Sequence, residues 1–220
     1  MVAALALVAG AVAGWLVNRA AGRFPWTAGT GVRRLLGPGP VAVRPPLVEA
    51  VTALLAAGTA LRFGLSWELP AFLLLAVAGV LLAVVDLQHR LLPNRVVLPC
   101  LAAGTVLLVL PALADGSWGA LLRAVLGAGA LCTAYLALAL VSPGGLGMGD
   151  VKLAAVLGLY LGWLGWAAVV LGALTGFVVQ ALVALVLLAT RRIGLRGELP
   201  FGPAMLAGAA LAIAVPLLLP

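Results

Sequence analysis

Composition and charge place this chain in a membrane before any motif is considered. It has 220 residues, of which 65% are hydrophobic and only 9% charged, and its mean hydropathy is +1.27. Charged residues make up about a quarter of a soluble globular domain, so this composition excludes an ordinary soluble fold and indicates an integral membrane protein. At roughly 20 residues for each span, the length permits about eight membrane helices and leaves no room for a sizeable soluble domain.

Eight apolar segments in chain order predict an all-α bundle of transmembrane helices. Two connections between them stand out: residues 19–46, rich in Arg, Gly and Pro, and residues 191–200, with three Arg and one Glu. We expect the first helix to be retained and not cleaved as a signal peptide, because no basic residue precedes it and Asn18-Arg19 follow directly. The predicted spans are residues 2–18, 47–63, 69–86, 95–113, 118–141, 150–163, 165–189 and 202–219.

The distribution of basic residues gives the predicted helices an orientation. With eight spans, 11 of the 13 Lys and Arg residues fall on one side, and only Arg62 and Arg123 lie near the other. Lys and Arg concentrate on the cytoplasmic side of membrane proteins. The sequence therefore predicts a protein of the cell (inner or plasma) membrane with both termini outside. Because the charge of +7 is spread along membrane-flanking loops, nucleic-acid binding is disfavoured.

Two aspartates are the strongest candidates for chemistry. Asp86 ends one apolar run and Asp150 begins another, and the predicted topology places both at the cytoplasmic boundary. Ionisable residues at a membrane boundary are costly and mark a functional site by default. Each also has an ordinary interpretation, Asp86 as interfacial polarity and Asp150 as a helix N-cap. Their surroundings favour function, since the glycine-rich residues 142–149 break the helix before Asp150 and residues 91–95 form a stiff turn after Asp86.

Paired carboxylates suit aspartic proteolysis. Two carboxylates a few ångströms apart cannot both ionise easily, so the pair keeps one proton. The ionised member can take a proton from a water that attacks a peptide carbonyl, while the protonated member donates to the carbonyl oxygen. This chemistry needs no metal and no covalent intermediate. We find no metal motif in the sequence either, because Cys100 and Cys132 form no CxxC and the single His89 has no neighbouring ligand.

Three separated motifs resemble the signatures of the prepilin peptidases, or type IV leader peptidases, which are membrane aspartic proteases of the GxGD type. The motifs are residues 86–94 (DLQHRLLPN), 147–153 (GMGDVKL) and 200–203 (PFGP), and the resemblance extends over roughly residues 47–210. It implies that Asp86 and Asp150 are the catalytic pair, which removes the basic leader from type IV prepilins or pseudopilins at the cytoplasmic face. The supporting residues implied by the resemblance are Pro93, Asn94, Gly147, Gly149, Lys152, Pro200, Gly202 and Pro203.

The resemblance has one departure, in the loop after the first helix. Bifunctional members of the family carry two CxxC pairs there, bind zinc and methylate the cleaved pilin from S-adenosylmethionine, whereas residues 19–46 contain no cysteine. Thr, Gly and Arg cannot replace four thiolates as zinc ligands. We therefore expect no zinc and no cofactor for the peptidase, with S-adenosylmethionine needed only if methylation is retained. We divide the chain into residues 1–46, the first helix with a reduced cytoplasmic loop, and residues 47–220, the transmembrane peptidase core.

Two polar residues near the predicted cytoplasmic boundary have competing interpretations. Lys152 either holds the charge of Asp150 or extends to the membrane interface. Glu49, about one turn into the second helix, either pairs with a loop arginine or touches a ligand, and we favour the pairing.

The sequence also leaves two alternative functions. A small transporter would place its acids near the centres of spans and show internal repeats, and neither is seen. Another GxGD intramembrane protease would need Asp86 in a Tyr-Asp context, but Val85 precedes it. The sequence does not predict an oligomeric state, because small residues that favour close helix packing are abundant on every span.

Overall fold

The computed structural model of the chain describes residues 1–26, 39–141, 146–192 and 199–215. Within these ranges the regular secondary structure is helical throughout, and eight helices follow the predicted spans, which confirms the all-α prediction. The end of the last predicted span, beyond residue 215, lies outside the described residues. The helices are α1 (Val2–Ala21), α2 (Leu47–Phe63), α3 (Leu69–His89), α4 (Asn94–Ala114), α5 (Trp118–Val141), α6 (Met148–Leu164), α7 (Trp166–Ala189) and α8 (Gly202–Ala214).

Five of the described helices are long and apolar enough to cross a membrane, namely α1, α3, α4, α5 and α7. Each has 20 to 24 residues. Helices α2 and α6 have 17 residues and α8 has 13. A 17-residue helix extends about 26 Å, slightly less than the roughly 30 Å hydrocarbon core of a bilayer. The protein is thus a polytopic helical membrane protein.

Helix α6 is the centre of the bundle. Most of its side chains are buried, among them Leu153, Leu157 and Tyr160, and they belong to one apolar core that also includes residues of α3, α4, α5, α7 and α8. A helix that is apolar on all sides is typical of a position surrounded by other helices. Asp150 lies in the first turn of this central helix, so its position depends on packing from several sides.

Helix α3 connects the central core to a second apolar cluster. One set of its side chains, including Phe72 and Leu82, packs in the central core. Another set, including Val84 and Val85, packs with Val17 of α1 and Val48 of α2. Asp86 follows Val85 directly. The position of this aspartate is therefore coupled to the packing of both the N-terminal helices and the main bundle.

Small residues bring neighbouring helices into close contact, as is usual where lipid gives no hydrophobic drive for association. A Cβ atom added at Gly127 of α5 would lie 2.6 Å from the carbonyl oxygen of Gly158 on α6, so neither residue can carry a side chain here. At the far end of the same pair, Arg123 donates hydrogen bonds to the carbonyl oxygens of Gly162 and Trp163, at 2.8 Å each. These bonds satisfy carbonyl groups that the end of α6 leaves without helical partners.

The two described ends of the loop between α1 and α2 contact the region where α3 ends and α4 begins. The side chain of Gln88 donates to the carbonyl of Ala42, and Arg95 donates to the carbonyl of Trp26 at 2.8 Å. The ring of Phe24 lies 4.9 Å from that of His89. Residues 27–38 of this loop lie outside the described residues.

Candidate active site

Asp86 lies in the last turn of α3. The helix ends at His89, three residues beyond the end predicted from the sequence. Arg90 closes the helix in the left-handed conformation, with φ of 51°, and its N–H donates to the Asp86 carbonyl at 2.8 Å. A left-handed residue at a helix end reverses the chain direction. The chain then turns at once, and Pro93 precedes the first residue of α4 in an extended conformation.

The Asp86 carboxylate is buried, with 5% of the residue exposed, and it lies at the start of α8. The N–H of Gly202 donates to its Oδ2 at 3.1 Å. Free N–H groups and the helix dipole make a helix N-terminus favourable for a carboxylate. A Cβ atom at residue 202 would lie 2.7 Å from the same oxygen, so glycine is required here for close approach.

Asp150 also accepts a backbone hydrogen bond, at the start of its own helix. The N-cap of α6 is Gly147, and the Gly147 N–H donates to Asp150 Oδ2 at 3.0 Å. Asp150 is the third residue of α6, so its side chain reaches back to the cap in the manner of a capping box and does not occupy the N-cap itself. The side chain is partly exposed.

The two aspartates line one cavity of about 390 Å³, and their negative charges repel each other. In each carboxylate Oδ2 accepts the backbone hydrogen bond, and no described residue donates a hydrogen bond to Oδ1. Among the described residues, each acid thus has one oxygen held by a backbone N–H and a second oxygen without a hydrogen-bond donor. The other lining residues are Arg90, Leu91, Leu92, Pro93, Asn94, Gly147, Met148, Gly149 and Lys152.

Seven residues predicted from the sequence meet at this cavity. Lys152 has a partner that neither of its predicted interpretations included, because its Nζ donates to Asn94 Oδ1 at 3.0 Å. Gly202 contacts Asp86 from α8, and Pro200 and Pro203 flank it without lining the cavity. The seven are Asp86, Pro93, Asn94, Gly147, Gly149, Asp150 and Lys152.

The two glycines of the GMGD motif have ordinary backbone angles, and only Gly149 is required for space. Gly147 has φ of −82°, and neither it nor Gly149 adopts a positive φ. A Cβ atom at Gly149 would lie 2.9 Å from Leu92 Cβ, whereas one at Gly147 would make an ordinary contact of 3.5 Å with Asp150 Oδ2. These two positions therefore do not use the wider φ and ψ range that glycine allows. Residues 142–145 lie outside the described residues.

Glu49 lies apart from this cavity and pairs with Asn18. The Asn18 Nδ2 donates to Glu49 Oε1 at 3.1 Å and to the Val43 carbonyl at 2.8 Å, and Asn18 Oδ1 accepts from the Val43 N–H at 2.9 Å. Asn18 is fully buried. Oε2 of Glu49 is buried and has no hydrogen-bond partner among the described residues. The described contacts of Glu49 are structural ones, with an asparagine in place of the predicted loop arginine.

Two residues that the sequence did not single out, Leu92 and Phe201, shape the site. Leu92 is 6% exposed and lies against both Gly149 and Gly202. Phe201, just before Gly202, packs its ring 6.1 Å from Tyr135 of α5 and 5.1 Å from Phe177 of α7. Phe201 and Leu92 stand inside the motifs quoted above, but apolar residues in an apolar chain give no signal of their own.

The loop between α1 and α2 does not fit a zinc ion. Residues 22–46 contain no Cys, His, Asp or Glu, so this segment has no side chain of the type that binds zinc. In the described parts of the chain, no three His, Cys, Asp or Glu side chains lie close enough together to hold a metal ion.

The fold and the site define a polytopic helical membrane protein with two carboxylates in one cavity. The model of the type IV leader peptidase family matches residues 72–194, which is more than half of the chain and includes Asp86 and Asp150. The chain therefore belongs to the type IV leader peptidase family.

Several relatives named prepilin leader peptidase/N-methyltransferase are similar to this chain. The Bacillus subtilis protein is 40% identical over 176 residues, which are 76% of this chain and 64% of the relative. The Stutzerimonas stutzeri protein is 36% identical over 74% of this chain and 55% of its own, and the Pseudomonas aeruginosa protein is 35% identical over 73% and 54%. The chain thus spans roughly half to two thirds of the length of these relatives. No solved structure matches it.

Proposed function

We propose that this protein is a membrane aspartic endopeptidase that removes the basic leader from type IV prepilins or pseudopilins. The proposal rests on one observation: Asp86 and Asp150, which belong to different helices, line the same cavity. The chain that contains them belongs to the type IV leader peptidase family. The names of the relatives support the substrate class.

In the proposed reaction the two carboxylates share one proton and bind a water between them. The ionised carboxylate takes a proton from the water as the water oxygen attacks the peptide carbonyl carbon. The protonated carboxylate donates its proton to the carbonyl oxygen, and proton return to the amide nitrogen then breaks the C–N bond. The backbone N–H groups of Gly147 and Gly202 hold the two acids in position throughout.

We infer that the protein lies in the cell (inner or plasma) membrane with this cavity at the cytoplasmic face. The concentration of Lys and Arg in the connections on that side supports the orientation. Arg90 and Lys152 both line the cavity, as expected of residues at a cytoplasmic boundary. The many exposed apolar side chains of α5 and α7 are suited to contact with lipid.

We propose that leader removal needs no cofactor and that this chain does not use zinc. Residues 22–46 contain no Cys, His, Asp or Glu, which supports the proposal that the chain does not use zinc. The names of the relatives give N-methyltransferase as a second activity. The absence of cysteine from residues 19–46 argues against methylation here.

The proposal can be tested by co-expressing the protein with a type IV prepilin and measuring the intact mass of the pilin. We expect loss of the leader at one junction, with no further mass increment. A pilin that keeps its leader when the protein is inserted in the membrane would contradict the peptidase proposal. An added mass of about 14 Da, one methyl group, would contradict only the statement on methylation.

A further inference from the structure

We propose that the turn between α3 and α4 sets the separation of the two carboxylates, with Leu92 as a spacer and the Asn94–Lys152 hydrogen bond as a tie. This inference rests on the proposed function, because it assigns positioning roles around the same two acids. Asp86 and Asp150 are 64 residues apart and lie on different helices. Their separation therefore depends on side-chain contacts between the helix ends at the cavity.

Leu92 occupies the space between the two elements that hold the acids. On one side it contacts the first turn of α6, where a Cβ atom at Gly149 would lie 2.9 Å from Leu92 Cβ. On the other side it contacts the start of α8, where a Cβ atom at Gly202 would lie 3.4 Å from Leu92 Cδ2. Gly149 precedes Asp150, and the Gly202 N–H binds Asp86. The volume of this one buried leucine thus limits how closely the starts of α6 and α8 approach each other.

The tie joins the turn that carries Leu92 to the first turn of α6. Asn94 is the first residue of α4, at the end of the turn that follows Asp86, and Lys152 is two residues beyond Asp150. The Lys152 ammonium donates to Asn94 Oδ1 at 3.0 Å, and both side chains line the cavity. A hydrogen bond from a charged donor is stronger than a neutral one. The spacer keeps the starts of α6 and α8 apart, and the tie holds the start of α6 against the turn that follows Asp86.

The test measures kcat and KM for leader removal by the purified full-length protein in detergent or lipid, with variants of the spacer and the tie. Leu92→Ala, Asn94→Ala and Lys152→Met should each lower kcat, by about ten- to hundredfold, and leave KM nearly unchanged, because a misplacement of about 1 Å can cost 10²-fold in rate. A direct contact of Lys152 with the substrate would instead raise KM.

Conservative variants separate positioning from other roles. Leu92→Met nearly keeps the volume, and Lys152→Arg keeps a charged donor, so both should retain most of the activity. The exchanged pair, Asn94→Lys with Lys152→Asn, restores the tie in the reverse direction and should recover activity relative to either single change. If the charge of Lys152 acts on Asp150 or on the substrate from its own position, the exchanged pair will stay as inactive as the single variants.

Two variants remote from the cavity provide matched controls. Arg123→Met removes a basic side chain that donates to the other end of α6, and Leu108→Ala truncates a fully buried leucine of α4. Both should lower the unfolding temperature and leave kcat of the folded protein unchanged. Should they reduce kcat as much as Lys152→Met and Leu92→Ala do, the effect is general destabilisation and the positioning proposal is wrong.

Asp86→Asn and Asp150→Asn in the same assay separate this proposal from the proposed function. If both are inactive while the Leu92, Asn94 and Lys152 variants keep the kcat of the unmodified protein, the positioning proposal alone fails. If the aspartate variants themselves cleave the substrate, the two-acid site fails, and the positioning roles fail with it.

Discussion

The N–H of Gly202 binds the carboxylate of Asp86 across 116 positions of the chain, with 3.1 Å between the nitrogen and Oδ2. This contact joins the last turn of α3 to the start of α8. We predict that Gly202→Ala lowers kcat at least tenfold, because the added methyl carbon would lie 2.7 Å from the same oxygen and displace the carboxylate. Leader removal by the purified variant measures the effect.

The matched control for this change is Gly129→Ala on α5. A Cβ atom at residue 129 has no neighbouring atom within 4 Å, so the substitution adds a methyl group without a clash. Alanine in a helix interior is favoured over glycine by roughly 0.5–1 kcal/mol. Activity equal to the unmodified protein is expected for Gly129→Ala, and equal activity in Gly202→Ala would show that the Gly202 contact is not needed.

The two glycines of the GMGD motif should differ in their tolerance of substitution. Gly149→Ala would place a methyl group 2.9 Å from Leu92 Cβ and should strongly reduce leader removal. Gly147→Ala creates only an ordinary contact at 3.5 Å, in a conformation that alanine adopts readily, and should keep most of the activity. Comparison of the two rates at equal amounts of folded protein checks this. The reverse order would mean that the motif acts through backbone flexibility at residue 147.

Glu49→Gln should leave leader removal close to that of the unmodified protein. The glutamine side-chain oxygen can still accept the hydrogen bond that Asn18 donates to Glu49 Oε1. The measurement is kcat/KM with the same prepilin. A loss of 10² or more, the usual contribution of a catalytic acid or base, would instead indicate that the carboxylate contacts a ligand or takes part in chemistry.

Arg123→Met should destabilise the protein without affecting chemistry. The change removes two hydrogen bonds to the carbonyl groups of Gly162 and Trp163 at the end of α6. Hydrogen bonds to charged groups contribute about 1.5–3 kcal/mol each, so a clear fall in the thermal unfolding midpoint is expected. Lysine at this position can replace only part of the interaction, because it lacks the forked geometry of arginine. An unchanged midpoint for Arg123→Met would show that water or lipid headgroups replace the arginine at no cost.

The helices were predictable because membrane spans carry a strong hydropathy signal, and the eight described helices follow the eight predicted spans. The ends were less predictable. Helix α3 continues three residues beyond Asp86, the predicted end, to His89, and Arg90 then closes it in the left-handed conformation. A left-handed arginine has no sequence signal, since glycine or asparagine usually takes this position.

The predicted topology and the motifs indicated that the two acids lie near each other. They did not indicate which residues hold the acids in position. The hydrogen bond from Gly202 to Asp86 and the contact of Leu92 with Gly149 join parts of the chain that are distant in sequence. Such contacts depend on how helices pack, which hydropathy does not encode. The Lys152–Asn94 hydrogen bond was missed for the same reason, although both residues stand in the motifs.

The most direct test of the two-acid site is the rate of leader removal by Asp86→Asn, Asp150→Asn and Asp115→Asn. Asp115 follows α4 in an exposed position and serves as the matched control. All three variants should insert and fold. We predict that Asp115→Asn cleaves normally, and that each of the other two loses at least about 10²–10⁴ in rate, the usual contribution of an acid or base. Near-normal cleavage by either Asp86→Asn or Asp150→Asn would contradict the proposed mechanism.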